Sequence, residues 1–312
     1  MSRRDGRKVT RRDRARLIAL VVVPVASVAI ALAFATRSGD RAKRAAHVKT
    51  VPGSKQASRK PSATSAPVAS TLPSTSSSSS TTTVAPAVPT KFGALNGHII
   101  VVDAGHNGGN YQHGNDIARP IFIGTQNRNC DTTGTSTYDG YSEAAYNLDV
   151  ALRLRDVLSA AGAKVVMVRI MNDGWGPCID ERAYIGNRAG AEAGISIHAD
   201  GGPDGGRGFH VNTPANIPGY TDDIYANSRT LGIDLRDAYL ATGMPTATYL
   251  GSNGMLERRD FGGLNLSNVP KVLFETGNMR NSTDAALLKD PNFRQRVAET
   301  LAVGFAQYFA GR

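Results

Sequence analysis

Short apolar, β-branched runs alternate with stretches of helical period along the C-terminal part of the chain. Residues 98–102, 164–168, 194–198, 208–211 and 271–275 read as strands, most of them continuous apolar runs rather than strict alternations. Between them, 143–161 repeats apolar residues through Ala144, Leu148, Ala151, Leu152 and Leu158 and stops at Gly162, while 179–189, 222–242 and 291–309 also carry a helical period. Continuous apolar strands separated by helices predict an α/β fold: a mixed, mostly parallel sheet flanked by helices on both faces, forming a single domain. In such a sheet ligands sit beyond the carboxyl ends of the strands.

The N-terminal part has a different pattern. Residues 1–16 form a basic tail, and 17–36 are apolar over a length that spans a bilayer core. Arginines dense on the N-terminal side predict a transmembrane anchor with its N-terminus inside; Ala33-Phe34-Ala35 offers the competing reading, a cleaved secretory signal. Residues 37–90 are basic and then Ser/Thr/Pro-rich, a composition that buries no core and predicts a disordered tether. Residues 91–312 remain for the folded domain. Either reading of 17–36 places that domain outside the cytoplasm, in the cell envelope.

The formal charge of +10 belongs to the tail. Residues 1–60 carry sixteen Lys and Arg against three acids, a net +13, and the remaining residues hold twenty bases and twenty-three acids, a net −3. A near-neutral folded part, behind a basic tail without interleaved aromatics, excludes nucleic acid as a partner. The two cysteines, Cys130 and Cys178, are an even pair in a chain expected outside the cytoplasm, so a disulfide is expected; it would close a loop worth roughly 4 kcal/mol in the chain-entropy picture. As metal ligands they would lack two further cysteines for a closed structural site.

Four residues carry the candidate chemistry. His106 follows the strand ending Val101-Val102-Asp103, Glu143 opens a helix, His198 lies near the end of Ile195-Ser196-Ile197, and Glu275 closes Val272-Leu273-Phe274. Two imidazoles and one carboxylate are what a catalytic Zn²⁺ commonly takes from a protein, leaving a position for water. A second carboxylate, Glu275, would then handle the proton. A lone histidine after a strand is more often a hydrogen-bonded surface residue, and Glu143 alone would suit the helix macrodipole. The joint occurrence of the set points to metal. His47 lies in the tether, His98 opens a strand, and His113 and His210 have no comparable setting.

With these motifs in place, the chain from His98 onward resembles the zinc-dependent N-acetylmuramoyl-L-alanine amidases of the Amidase_3 family, and its paired cysteines and long glycine-rich loop resemble the mycobacterial cell-wall members. The family's Asp-Pro-Gly-His is met by Asp103-Ala104-Gly105-His106, its helix-opening Glu by Glu143, its Ser-Ile-His-Ala-Asn by Ser196-Ile197-His198-Ala199-Asp200, and its Glu-x-Gly by Glu275-Thr276-Gly277 with Asn281 downstream. Arg182 and Asn187 match the Arg and Asn before the second histidine strand. Ala104 and Asp200 depart from the pattern, and the Arg169 to Asp173 spacing is one residue longer.

The resemblance implies a peptidoglycan hydrolase that cleaves the amide between the lactyl group of N-acetylmuramic acid and L-alanine of the stem peptide. It implies Zn²⁺ on His106, Glu143 and His198, with Glu275 as catalytic acid and base. Peptidoglycan or muropeptide is the implied substrate, the N-terminal segment the membrane contact, and a monomer the expected state. Asp103 is a candidate acceptor behind a ligating histidine. A non-catalytic wall-binding or regulatory homologue, and a zinc peptidase acting on the stem peptide, stay open beside it. Residues 107–140 are expected to form a rim or flap over the cleft.

Overall fold

The computed structural model describes residues 90–311. The expected basic tail, anchor or signal, and tether lie outside the described residues, apart from the last position of the tether. Among the described residues no helix is long and apolar enough to cross a membrane.

Among the described residues there are eight strands: β1 (Ile99–Ala104), β2 (Pro120–Phe122), β3 (Asn127–Asn129), β4 (Lys164–Met167), β5 (Ala193–Asp200), β6 (His210–Pro214), β7 (Met255–Arg258) and β8 (Lys271–Asn278). Six form one sheet in the order β4-β1-β5-β8-β6-β7, and β2 pairs with β3 in a separate hairpin. Strands β4, β1, β5 and β8 run parallel; β6 is antiparallel to β8, and β7 is parallel to β6. The mixed, mostly parallel sheet expected from the sequence is therefore present. The hairpin and β7 were not legible, because β2 and β3 have three residues each and β7 carries Glu257 and Arg258 without an apolar run.

Side chains alternate across a strand, so the sheet sorts them into two faces. One face carries Ile100, Val102, Ile195, Ile197, Val211, Val272 and Phe274, all fully buried or nearly so. It packs under α1 (Glu143–Ala160), α3 (Tyr225–Tyr239) and α5 (Pro291–Ala310). Their stripes Tyr146, Val150, Leu154 and Leu158, then Leu231 and Leu235, then Phe293, Val297, Leu301 and Phe305 complete the core. Burying one such side chain contributes roughly 1.5–3 kcal/mol. Ser142 caps α1 by accepting from the Ala145 amide, and Asp290 caps α5 ahead of Pro291. The short α4 (Ser282–Lys289) is capped by Asn281, which gives that family-matched residue a structural task.

The other face is polar toward the carboxyl ends of the parallel strands. There α2 (Ile179–Ala189) covers Val101, Val166 and Ile99 through Ile185, while Asp103, Ser196, Lys271, His198 and Glu275 extend beyond it. Asp103 and Lys271 are both 1% exposed and form an ion pair, Nζ to Oδ2 at 3.1 Å. Arg182 of α2 reaches the other oxygen at 2.7 Å, and the Ser196 hydroxyl donates to Oδ2 at 3.0 Å. Burial alone would raise the Asp103 pKa; Lys271 and Arg182 overcome it and hold the carboxyl well below its usual range. Arg182 also donates to Asp131 at 2.9 Å, so two carboxylates flank one guanidinium.

Removing one member of a buried ion network leaves an uncompensated charge. Lys271→Met is expected to destabilise the domain by about 3–5 kcal/mol, read as a lower urea midpoint, since Asp103 would keep its charge with a partner lost. Asp131 sits at about pKa 2: burial opposes the shift, but Arg182 and His106 outweigh it. A carboxyl depressed on folding stabilises above its unfolded pKa and loses that contribution as the pH falls through its folded one. Stability is thus expected to fall between about pH 4 and pH 2, with a shallower slope in Asp131→Asn, measured by unfolding across that range.

Candidate metal centre

Strand β1 ends at Ala104, and the chain turns through Gly105 into His106, whose φ of +55° is left-handed. Such a φ is uncommon outside glycine and persists where surroundings over-determine it. Here they do. Arg182 donates to the carbonyls of Ala104 and His106, Arg169 to those of Ala104 and Gly105, and Asn147 to that of Gly105. Arg169 also takes the Ala144 carbonyl at 2.7 Å, which ties the turn to the start of α1. Gly105 is required by space: a Cβ there would lie 2.2 Å from Cε1 of His198.

The fold brings His106, Glu143 and His198 together, with one donor atom of each within 4.8 Å of the others. Oε1 of Glu143 is 3.3 Å from Nε2 of His106 and 2.9 Å from Nδ1 of His198. Donors sharing one tetrahedral Zn²⁺ at 2.0–2.2 Å would be spaced roughly 3.3–3.6 Å apart; the two distances to Oε1 lie near that spacing, and the donor types suit a divalent ion of that size. Burial alone would lower the His106 pKa, but Glu143 and Asp131 raise it to about 10. At His198 burial dominates and the pKa falls, with Glu143 a partial offset. Burial opposes ionisation of Glu143, yet the two imidazoles hold it well below the usual range.

The group behind His106 is not Asp103. Its Nδ1 meets Asp131 Oδ1 at 3.2 Å and the Thr132 carbonyl at 3.0 Å, because Asp103 is committed to Arg182 and Lys271. The second oxygen of Glu143 accepts from the Thr135 amide at 2.8 Å. Gly134 lies against Glu143 and His106, at a φ of +73°, and a Cβ there would sit 2.7 Å from Glu143 Oε2. The segment 107–140, expected as a rim, thus also supplies the atoms that orient two of the three donors. Its hairpin residues Asn127, Arg128 and Asn129 line a cavity of about 430 Å³ that His106 and His198 border.

Cys130 and Cys178 are disulfide-bonded. Cys130 immediately precedes Asp131, and Cys178 is the N-cap position of the helix that carries Arg182. The bridge therefore joins the two segments whose side chains meet at 2.9 Å behind His106.

Glu275 lies on β8 beside His198 of β5, in register. It is half-buried, and its Oε2 is shut away from solvent with no hydrogen-bond partner among the described residues. Burial, reinforced by the charges of Glu143 and Asp200, pushes its pKa well above the usual range. On its other side stands His210, 2% exposed and paired with Glu275 across β6 and β8. Sequence reasoning passed over His210 because it falls inside the predicted strand 208–211 and lacks the strand-end setting of His106 and His198. Strand β6 runs antiparallel, so its beginning reaches the edge where β1, β5 and β8 end.

Residues 100–307 match the N-acetylmuramoyl-L-alanine amidase family. The chain is 39% identical over 217 residues to the N-acetylmuramoyl-L-alanine amidase Rv3717 of Mycobacterium tuberculosis, covering 69% of this chain and 88% of that one. The crystal structure of the amidase Ami1 from Mycobacterium smegmatis superposes with a TM-score of 0.66 at 40% identity, over 70% of this chain and 99% of Ami1. Ami1 from Mycobacterium abscessus gives 0.65 at 38%, over 68% and 99%. Likeness of this extent, across the folded domain, has one consequence: the chain belongs to the N-acetylmuramoyl-L-alanine amidase family, hydrolases of peptidoglycan.

Proposed function

We propose that His106, Glu143 and His198 hold a zinc ion and that Glu275 carries the proton while the lactyl amide between N-acetylmuramic acid and L-alanine is hydrolysed. The observation that carries this is the convergence of three buried or half-buried donors beside a carboxyl group whose second oxygen has no partner. When bound, the ion acidifies water and polarises the scissile carbonyl. Glu275, with its affinity for a proton raised by burial, takes one from the attacking water and returns it to the leaving amine nitrogen. Asp131 and the Thr132 carbonyl hold the His106 ring, and the Thr135 amide fixes the Glu143 carboxylate. The cavity of about 430 Å³ bordering the donors gives room for one arm of a muropeptide. The enzyme acts outside the cytoplasm. The apolar stretch 17–36, as anchor or cleaved signal, and the tether 37–90 would deliver a monomeric domain, 91–312, to the wall.

The direct test is to digest cell-wall material with the full-length protein and map the new amino termini. L-alanine at those termini supports the amidase; another residue would indicate a peptidase. Chelation is expected to abolish release, and added Zn²⁺ to restore it. Glu275→Gln should lower kcat by about 10³-fold or more while leaving metal content at one ion per chain, by elemental analysis. A variant cleaving at the wild-type rate would remove Glu275 from the mechanism. The Cys130→Ser, Cys178→Ser double variant is expected to retain zinc about 10–100-fold less tightly in chelator competition, because the Asp131 to Arg182 contact loses its tie.

A further inference from the structure

The polar face contains one pair of groups that neither the metal nor the buried ion network uses. Glu275 and His210 are directly opposed on antiparallel strands, a position that puts Cβ atoms about 4.5–5.5 Å apart on one face. Each ends in a solvent-inaccessible atom without a hydrogen-bond partner among the described residues, Oε2 of Glu275 and Nδ1 of His210. Leaving two such atoms unmade costs about 1–3 kcal/mol apiece. The other polar groups around the imidazole have partners of their own. From the loop before β7, the Tyr249 hydroxyl donates to Asp200 of β5 at 2.8 Å, and its ring stands edge-on to His210 at 6.3 Å. From β7, Arg258 is engaged by both oxygens of Asp260 at 2.8 Å.

We propose that His210 is a positioning residue for Glu275: its Nδ1–H donates to Oε2 and so fixes the carboxylate with Oε1 as the oxygen that meets water and the leaving amine. This rests on the proton-carrying role given to Glu275 above. The ring supplies a donor without a charge. Burial, with Arg258 adding to it and Asp200 opposing, pulls the His210 pKa down to about 4, so a single ring proton is present at neutral pH. The two atoms are not within hydrogen-bond distance in this structure; a side-chain rotation that brings them together, with the ring proton on Nδ1, satisfies both. A hydrogen bond to the ionised carboxylate also favours its basic form against the burial that opposes it. No proton leaves His210 in the cycle; the one taken by Oε1 from water goes to the amine nitrogen.

The test uses the zinc-loaded full-length protein, a soluble N-acetylmuramoyl peptide as substrate, and three variants. His210→Leu is expected to lower kcat at least 10-fold with KM within 2-fold and metal content unchanged. His210→Asn, whose side-chain nitrogen can occupy the place of Nδ1, should recover most of that loss, and His210→Gln, which reaches further, should not. Independently of turnover, ¹⁵N NMR of histidine-labelled protein should find the His210 proton on Nδ1, and on Nε2 in Glu275→Ala. Three variants equal to wild type, or equally impaired in step with a lowered Tm, would overturn the proposal, as would a proton on Nε2 in the wild type. Absence of any L-alanine-terminated product from the wild type would instead overturn the functional reading, while the NMR result would stand on its own.

Discussion

The Arg182 guanidinium is the contact on which the candidate metal centre depends. It lies between Asp103 and Asp131, and it also takes the carbonyls of Ala104 and His106. These bonds hold a non-glycine residue at positive φ and orient its ring from behind at once. A guanidinium with five donors in one plane can serve several acceptors in this way; a lysine at the same place would serve fewer and fix none of their directions. The expense of burying the charge is offset by the two carboxylates, and Lys271 balances the surplus at Asp103.

The sheet separates stability from chemistry. Its apolar face, under α1, α3 and α5, holds most of the core, and the opposite face presents Asp103, Ser196, His198, Glu275 and His210 toward one edge. Parallel strands deliver His198 and Glu275 there from their carboxyl ends, and the turn after β1 delivers His106. The helix that brings Glu143 starts at the same edge, capped by Ser142. Rigid elements thus carry three of the four residues that matter most, while the loop 107–140 closes around the fourth, His106, through a disulfide-anchored segment. Preorganisation of this kind keeps the three donor atoms within 4.8 Å of one another.

Much of this was legible in the sequence, for definite reasons. The strands β1, β5 and β8 are continuous apolar runs because both of their faces are covered, and the α1 stripe is long enough to establish its period. His106, His198 and Glu275 could be grouped because each stands at or beyond such a run. What escaped was non-local. Asp131 lies in a glycine-rich loop with no pattern, and its place behind His106 is decided by the distant Arg182 and by the bridge from Cys130 to Cys178. His210 escaped because strand direction is not written in a five-residue segment; only the antiparallel pairing with β8 turns the start of β6 toward the chemistry.

A zinc ion held by two imidazoles and a carboxylate is open to X-ray absorption at the zinc edge of the loaded, full-length protein. One zinc per chain is expected, with nitrogen and oxygen neighbours at about 2.0–2.2 Å and the multiple-scattering signature of two imidazoles. A sulfur neighbour at about 2.3 Å, or a spectrum with fewer than two imidazoles, would contradict it.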